Sequence, residues 1–196
     1  MDRLKQQMNF ILEVDKLKTI TRQSYISDGS RKEGDAEHSW SLAMMCLLLG
    51  EYANEKIDVL KTIAMVLIHD IVEIDAGDTY AYDSAGNETK REREVKAADR
   101  IFNLLPEDQA RWMRSLWEEF EQASTPEARF ALTMDKVQPV MLNDATGGKA
   151  WREHEVKESQ IRRRNENTHL GSEAVWEYCR ELIEKNIALG NIRKGE

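Results

Sequence analysis

Apolar residues recur at helical spacing along most of the chain. Leu42, Met45 and Leu49 follow one another at intervals of three or four residues and so share one face of a helix. His38 lies four residues before Leu42, on the same face. Comparable spacing predicts helices over residues 3–18, 35–55, 57–73, 88–105, 126–143 and 172–188 and a further helix from residue 106. No segment convincingly predicts a strand. The pattern therefore predicts an all-α fold, a compact helical bundle.

Proline and glycine mark the limits of one long helix. Thr125 followed by Pro126 is typical of a helix start, because Thr caps free backbone N–H groups and Pro fits the first turn. Gly147 and Gly148 are typical of its end. Pro139 lies inside this helix and predicts a kink, since proline has no N–H to donate.

The segments between the helices are polar. Residues 19–34 and 74–87 have no helical period and are predicted to be loops. Residues 149–167 are strongly charged, and their pattern leaves their form open. No Pro- or Ser-rich linker divides the chain, so we expect one domain over residues 1–196.

The composition is that of a globular chain without a membrane span. Of 196 residues, 41% are hydrophobic and 33% charged, which is enough for a substantial core. The longest apolar stretch, Ile63–Ile68, is far shorter than the roughly 20 residues that cross a bilayer. Residues 1–18 lack the apolar region of a secretory signal. Cys46 and Cys179 lie on apolar helical stretches, which favours buried thiols over a disulfide. We therefore expect a cytoplasmic protein.

The charge argues against a polyanionic partner. The chain carries 28 Lys and Arg against 36 Asp and Glu, a formal net charge of −8. The most basic run, residues 162–164, is flanked by Glu158 and Glu166 and is predicted to be a solvated helix end. We expect neither duplex nucleic acid nor a membrane as a partner.

Four ionisable residues occupy positions that the helical pattern assigns to the core. His38 begins an apolar helix face, and His69 with Asp70 ends the most apolar helix. Asp135 lies among apolar residues of another helix. One such histidine alone is most simply a hydrogen-bonded core residue. Together, two imidazoles and two carboxylates form a nitrogen and oxygen shell that suits one divalent metal ion, and Mn, Co, Fe, Zn, Ni and Mg all stay open.

These residues resemble a known family. Their order, H…HD…D, is similar to that of the HD-domain metal-dependent phosphohydrolases, and the small branch with the 5'-deoxynucleotidases is the most similar. Further matching motifs are Arg31-x-Glu33, Ala36-Glu37-His38-Ser39, HDIVEIDAGD at 69–78, Lys90, Glu94 and Ala97, Asp135-Lys136 and Gln138-Pro139. The resemblance implies a helical HD-type fold and hydrolysis of (deoxy)nucleoside 5'-monophosphates. It also implies a homodimer.

The resemblance implies roles for particular residues. It implies that His38, His69, Asp70 and Asp135 are the metal ligands. It further implies that Glu73 and Asp78 are the catalytic acids, of which Glu73 lies one helical turn beyond His69. Which acid performs which proton transfer stays open.

Two positions near these residues leave alternatives. Asp75 competes with Asp78 for the role of second acid, although turn formation also explains an Asp in this loop. Arg22 aligns with a family arginine that contacts the substrate phosphate, but a solvated loop arginine is equally consistent. The next residue is Gln23, where the characterised deoxynucleotidases have Trp. The preference for deoxyribose therefore stays open.

The sequence leaves two rival functions. The first is another HD-type hydrolase, which would act on guanosine tetraphosphate or on a phosphodiester. The second is a helical binding module that keeps the metal for stability and needs no catalytic acid. Two-metal HD enzymes need extra histidines before the final Asp, whereas His154 and His169 both follow Asp135. One metal per chain is therefore favoured. The apolar residues of the last helix suit either a subunit interface or its own core.

Overall fold

The computed structural model describes residues 2–195 and is mostly helical. Its helices are α1 (Arg3–Val14), α2 (Asp35–Leu49), α3 (Val59–Ile68), α4 (Glu73–Ala76), α5 (Ser84–Phe102), α6 (Glu107–Gln122), α7 (Pro126–Ala145), α8 (Lys149–Glu153), α9 (Glu158–Asn165) and α10 (Glu173–Ala188). Short 3-10 turns lie at Asp15–Thr19, Gly50–Tyr52 and Thr168–Leu170. The predicted all-α fold class is confirmed. Among the described residues, no helix is both long and apolar enough to cross a bilayer.

One small hairpin corrects the expectation that no strand is present. Strands β1 (Thr21–Tyr25) and β2 (Lys32–Gly34) pair antiparallel inside the segment that the sequence predicted to be a loop. The last four residues of β1 are all half-buried, so the strand does not have one buried apolar face and one exposed polar face. The alternation that reveals a strand in a sequence is therefore absent.

The third predicted helix ends earlier than expected. Regular α-helix stops at Ile68, and α4 begins only at Glu73. Between these two helices the backbone hydrogen bonds join residues three positions apart. Ile71 N donates to Ile68 O at 3.1 Å, and Glu73 N donates to Asp70 O at 2.9 Å. This tighter winding changes the direction in which successive side chains point. His69 and Asp70 lie in this turn.

Helix α7 forms the centre of the bundle. The Thr125 hydroxyl accepts a hydrogen bond from Ala128 N at 3.2 Å, which confirms the predicted cap. The helix continues through Pro139 to Ala145. Phe130 and Met134 are fully buried, and α7 packs against α2, α3, α6 and α10.

The last helix packs against the rest of the chain rather than offering its apolar face to solvent. Val175, Cys179, Ile183 and Ile187 of α10 are buried. Both thiols are free, and Cys46 is buried in the core like Cys179. Of the two roles left open for this helix, docking onto its own core is the one that the structure shows.

Gly171 is required where the chain enters α10. A methyl group at this position would overlap the Arg129 carbonyl and the Thr133 hydroxyl of α7. We expect Gly171→Ala to lower the free energy of unfolding by about 2–3 kcal/mol, or roughly 5–10 °C in Tm. The matched control is Gly34→Ala, where the nearest atoms lie at 3.6 Å. It should cost less, about 0.5–1 kcal/mol, because Gly34 caps α2 and Ala is a poorer cap than Gly. Equal melting temperatures for the two variants would contradict the overlap.

Candidate metal centre and active site

Four side chains from three elements converge at one point. His38 comes from α2, His69 and Asp70 from the turn after α3, and Asp135 from α7. Asp135 Oδ1 lies 3.0 Å from His38 Nε2 and 3.8 Å from His69 Nε2. Asp70 Oδ2 lies 3.0 Å from His69 Nε2 and 4.0 Å from His38 Nε2. Each of the two imidazoles thus directs its Nε2 atom toward the two carboxylates.

The hydrogen bonds of His69 leave one nitrogen available. Its Nδ1 donates to the Val66 carbonyl at 2.8 Å. The other ring nitrogen, Nε2, is buried and makes no well-directed hydrogen bond, although Asp70 Oδ2 lies 3.0 Å from it. Histidines that bind metals typically donate from the second nitrogen to a backbone carbonyl in this way. A ring nitrogen that faces two carboxylates without a well-directed hydrogen bond therefore fits a bound cation.

A chain of buried side chains fixes the ring of His38. Its Nδ1 donates to Gln138 Oε1 at 3.1 Å, and Gln138 Nε2 donates to Glu33 Oε1 at 2.6 Å. All three side chains are buried. Glu33 and Gln138 belong to the matched motifs, but the sequence assigned them no role. Their position identifies them as residues that orient His38.

The charges of this centre favour a cation as well. Burial raises the pKa of Asp135, but the facing imidazoles of His38 and His69 outweigh that effect and hold the pKa well below its usual value. Burial lowers the pKa of His38 to about 4, so this ring is neutral. Burial also lowers the pKa of His69, but the charge of Asp70 and the nearby Asp135 carboxylate raise it overall to about 10. Without a cation, a proton on His69 balances the carboxylates.

A second cluster of acids adjoins the metal centre. Carboxylate oxygens of Asp35, Glu73 and Asp78 all lie within 4.8 Å of one another. Asp35 Oδ2 and Glu73 Oε2 are buried without a partner. Burial raises the pKa of Asp35 to about 6, and burial with the nearby Asp70 charge raises the pKa of Glu73 well above its usual value. The cluster therefore binds protons more tightly than isolated carboxyls do.

Asp35 is a site residue that sequence reasoning missed. It begins α2, where an acid in the first turn commonly serves only to stabilise the helix. Its side chain is instead fully buried beside Glu73. The available signal was its position three residues before His38, which puts both on one face of α2.

The structure separates the two acids that the sequence left as alternatives. Gly77 ends α4 with φ of 74°, a conformation that glycine adopts without strain. The chain then turns so that Asp78 lines the cleft beside Glu73. Asp75 lies outside this cleft and pairs with Arg100, whose Nη2 is 2.8 Å from Asp75 Oδ1.

Arg22 of β1 connects the two acidic clusters. Its guanidinium is 11% exposed and donates from Nη1 to Asp70 Oδ2 at 2.8 Å and to Asp35 Oδ1 at 3.4 Å. Although burial lowers the pKa of Arg22, the charges of Asp70 and the neighbouring acids raise it overall. Arg22 is thus a cleft residue and not a solvated loop arginine.

A cleft of about 260 Å³ opens above both clusters. Its walls include the aromatic rings of Tyr80, Tyr82 and Trp151. The sequence placed all five tryptophans in the core or an interface, but Trp151 is buried and also lines this cleft. The charged wall of the cleft includes Lys90, Lys136 and Arg164.

Comparison with known proteins places this site in a family. Residues 14–176 match the family model described as HD domain, and the match contains all four residues of the metal centre. The chain belongs to the HD domain family. The resemblance in its sequence is thereby confirmed, and the HD domain accounts for the helical architecture described above.

The HD domain has relatives among solved and curated proteins. A predicted metal-dependent phosphohydrolase from Magnetospirillum magnetotacticum MS-1 has a crystal structure with a TM-score of 0.93 and 46% identity, covering 97% of this chain and 95% of that one. The 5'-deoxynucleotidase HDDC2 of Homo sapiens is 28% identical over 135 residues, 68% of this chain and 65% of its own length. The protein of that name from Dictyostelium discoideum is 33% identical over 141 residues, 68% of this chain and 74% of its own. The chain thus spans about two thirds of the human relative's length.

The role of Gln138 can be tested by metal binding. We expect Mn²⁺ to raise the Tm of the wild-type protein, because a ligand that binds only the folded state stabilises it. Gln138→Leu frees the His38 ring and should weaken Mn²⁺ binding about 10–100-fold, so that the rise in Tm shrinks. Gln109→Leu is the matched control, since Gln109 of α6 accepts a half-buried hydrogen bond from Gln7 of α1 and does not line the cleft. An unchanged rise in Gln138→Leu would contradict the orienting role.

Proposed function

We propose that the protein is a metal-dependent 5'-nucleotidase that releases phosphate from (deoxy)nucleoside 5'-monophosphates. The observation that carries the proposal is a centre of two imidazoles and two carboxylates with an adjoining cluster of three further acids, both of which border one cleft. The relatives named 5'-deoxynucleotidases support the nucleotide as substrate. Gln23 keeps the choice between ribose and deoxyribose open.

His38, His69, Asp70 and Asp135 would hold one divalent ion. The mixed nitrogen and oxygen donors are compatible with Mn, Co, Fe, Zn, Ni or Mg. When bound, such an ion polarises a phosphoryl oxygen and lowers the pKa of a water molecule. Nitrogen and oxygen ligands from three elements of the fold would position it at the floor of the cleft.

The acids beside this centre supply the proton transfers. Hydrolysis breaks the bond between phosphorus and the ester oxygen while a water oxygen bonds to phosphorus. One carboxylate of the pair Glu73 and Asp78 takes a proton from that water, and a protonated carboxyl returns one to the departing nucleoside oxygen. Asp35 lies beside Glu73, and burial raises the pKa of both carboxyls, so a proton in this cluster is bound more tightly than on an isolated carboxyl.

Arg22 would receive the phosphate. In the structure its guanidinium binds Asp70 and Asp35, and an incoming phosphate offers further oxygens to the same fork of donors. The rings of Tyr80 and Trp151 provide apolar surface for a nucleobase farther along the cleft.

The roles of the acids are tested with a substrate panel. We expect the Mn²⁺-loaded protein to release phosphate from nucleoside 5'-monophosphates. Glu73→Gln and Asp78→Asn should each lower kcat by about 100-fold or more, because each removes a proton-transfer group. Asp75→Asn is the matched control and should retain wild-type kcat, because Asp75 binds Arg100 outside the cleft.

Three results would count against these assignments. Loss of activity in Asp75→Asn with full activity in Asp78→Asn would reverse the choice of second acid. Two tightly bound ions per chain would exclude the mononuclear site. No turnover of any monophosphate by protein with one bound metal would exclude the nucleotidase and leave another phosphate ester or a binding role.

We further propose a homodimer formed through α2. Trp40, Met44, Leu47 and Leu48 lie on one face of this helix and are exposed, with 64% of Trp40 and 65% of Leu48 accessible. Large apolar side chains grouped on one exposed face are typical of interfaces, and Trp is enriched there. The cytoplasmic location expected from the sequence stays a prediction.

The dimer is tested by light scattering. The chain mass is 22.7 kDa, so we expect about twice that mass at micromolar concentration. Leu47→Glu places a charge on the α2 face and should shift the protein to the monomer. Leu12→Glu changes a comparably exposed residue of α1 and should leave the dimer intact. A monomeric wild-type protein, or dissociation only by Leu12→Glu, would refute this interface.

A further inference from the structure

The segment that carries Asp78 has few hydrogen bonds of its own. Residues 77–83 connect α4 to α5 and contribute Asp78 to the cleft. Among residues 2–195, no backbone carbonyl accepts a hydrogen bond from the N–H groups of residues 78–82. Nor is a hydrogen bond found to the Asp78 carboxylate among the side chains that the structure describes. A proton-transfer group needs a defined position, so a contact from outside the segment is required to fix this one.

Arg93 of α5 binds this segment on both sides of Asp78. Its Nη1 donates to the Ala76 carbonyl, and its Nη2 donates to Thr79 Oγ1 at 2.8 Å. Ala76 lies two residues before Asp78, and Thr79 directly follows it. A further bond, from Nη2 to the Gly86 carbonyl at 3.1 Å, connects the same guanidinium to the first turn of α5. One planar fork of donors thus spans the backbone around the acid.

The partners of Arg93 differ from those of the neighbouring arginines of α5. Arg91 and Arg100 each pair with two carboxylates. The hydrogen bonds found for Arg93 all go to neutral oxygens, although the chain carries more acids than bases. Hydrogen bonds from a charged donor are about twice as strong as neutral ones. Arg93 therefore holds the segment instead of joining an ion-pair network.

The other end of the segment is held by the cap of α5. Asp83 N donates to the Tyr80 carbonyl at 2.9 Å, and Asp83 Oδ1 accepts a hydrogen bond from Gly86 N at 3.1 Å. These bonds begin two residues after Asp78, so they do not fix its backbone directly. Loss of the Arg93 guanidinium would thus free the acid while the far end of the segment stays in place.

We infer that Arg93 is a positioning residue, which holds the backbone around Asp78 so that the carboxylate stays within 4.8 Å of that of Glu73. This inference rests on the proposed function, because it takes Asp78 to transfer a proton during hydrolysis. Arg93 does not line the cleft and therefore acts through Asp78, not on the substrate. A displacement of about 1 Å at a reacting group lowers a rate by up to about 100-fold.

The positioning role is tested by removing the guanidinium. Arg93→Met keeps much of the side-chain length but removes every donor, and it should lower kcat of the Mn²⁺-loaded protein about 10- to 100-fold on the nucleoside 5'-monophosphate that is turned over fastest. KM should change much less than kcat, because Arg93 does not line the cleft. Arg100→Met is the matched control and should retain wild-type kcat, because this arginine of the same helix binds Asp75 outside the cleft.

A double-mutant cycle separates positioning of the acid from a general loss of structure. If Arg93 acts through Asp78, Arg93→Met should lower kcat by less than about twofold in Asp78→Asn protein, where the carboxylate is already absent. A loss by the same factor in both backgrounds would overturn the inference, because the effect would then be independent of the acid. Wild-type kcat in the Arg93→Met protein would overturn it as well.

Limited proteolysis with chymotrypsin reports on the segment without any substrate. Cleavage after Tyr80 or Tyr82 requires local opening, so Arg93→Met should be cut there about tenfold or more faster than Arg100→Met. Failure of the wild-type protein to hydrolyse any monophosphate would refute the nucleotidase, and the cleavage rates would then decide whether Arg93 holds Asp78 in place. Equal rates in the wild type and both variants would show that it does not.

Discussion

The site depends on the need of buried carboxylates for positive charge. Asp35, Asp70 and Glu73 are buried around one point, and Asp135 beside them is half-buried. Leaving these carboxylates ionised without a cation would cost several kcal/mol each. Arg22 supplies one positive charge and a proton on His69 another. A divalent ion would replace that proton and satisfy more oxygens at once. The fold therefore holds together a charge arrangement that is complete only with a cation.

The scaffold brings these groups together from distant parts of the sequence. Helix α7 contributes Asp135 and, three residues later, Gln138, so one helix face carries both a candidate ligand and the residue that orients another. The tight turn after α3 presents His69 and Asp70 at the same point. Such support fixes each imidazole ring before a metal ion binds. The affinity for the metal is then higher, because the side chains lose little conformational freedom on binding.

The sequence predicted the helices and the convergence of His38, His69, Asp70 and Asp135 because both leave local signals, a period of 3.6 and ionisable residues at apolar positions. The hairpin left no such signal, since half-burial of consecutive residues removes the alternation. Asp35 and Arg164 were missed for a related reason. An acid in a first turn and a base in a charged run both have common surface roles. Only tertiary packing shows that Asp35 is buried beside Glu73 and that Arg164 lines the cleft.

A protein of net charge −8 can still bind an anion, because the field inside a cleft follows the nearest charges more than the total. Arg22 and Lys90 lie among acids that largely neutralise them, so these cations attract a phosphate chiefly when a metal ion offsets the acids. Lys136 and Arg164 line the same cleft without a hydrogen bond or ion pair among the described residues, although the charges of Asp135 and Glu166 act on Lys136 and the charge of Arg164 acts on Asp78. Their positive charges offset part of the acidic field before a metal binds, and they favour approach of an anionic substrate to this cleft. The metal centre then engages the phosphomonoester that this approach brings within reach.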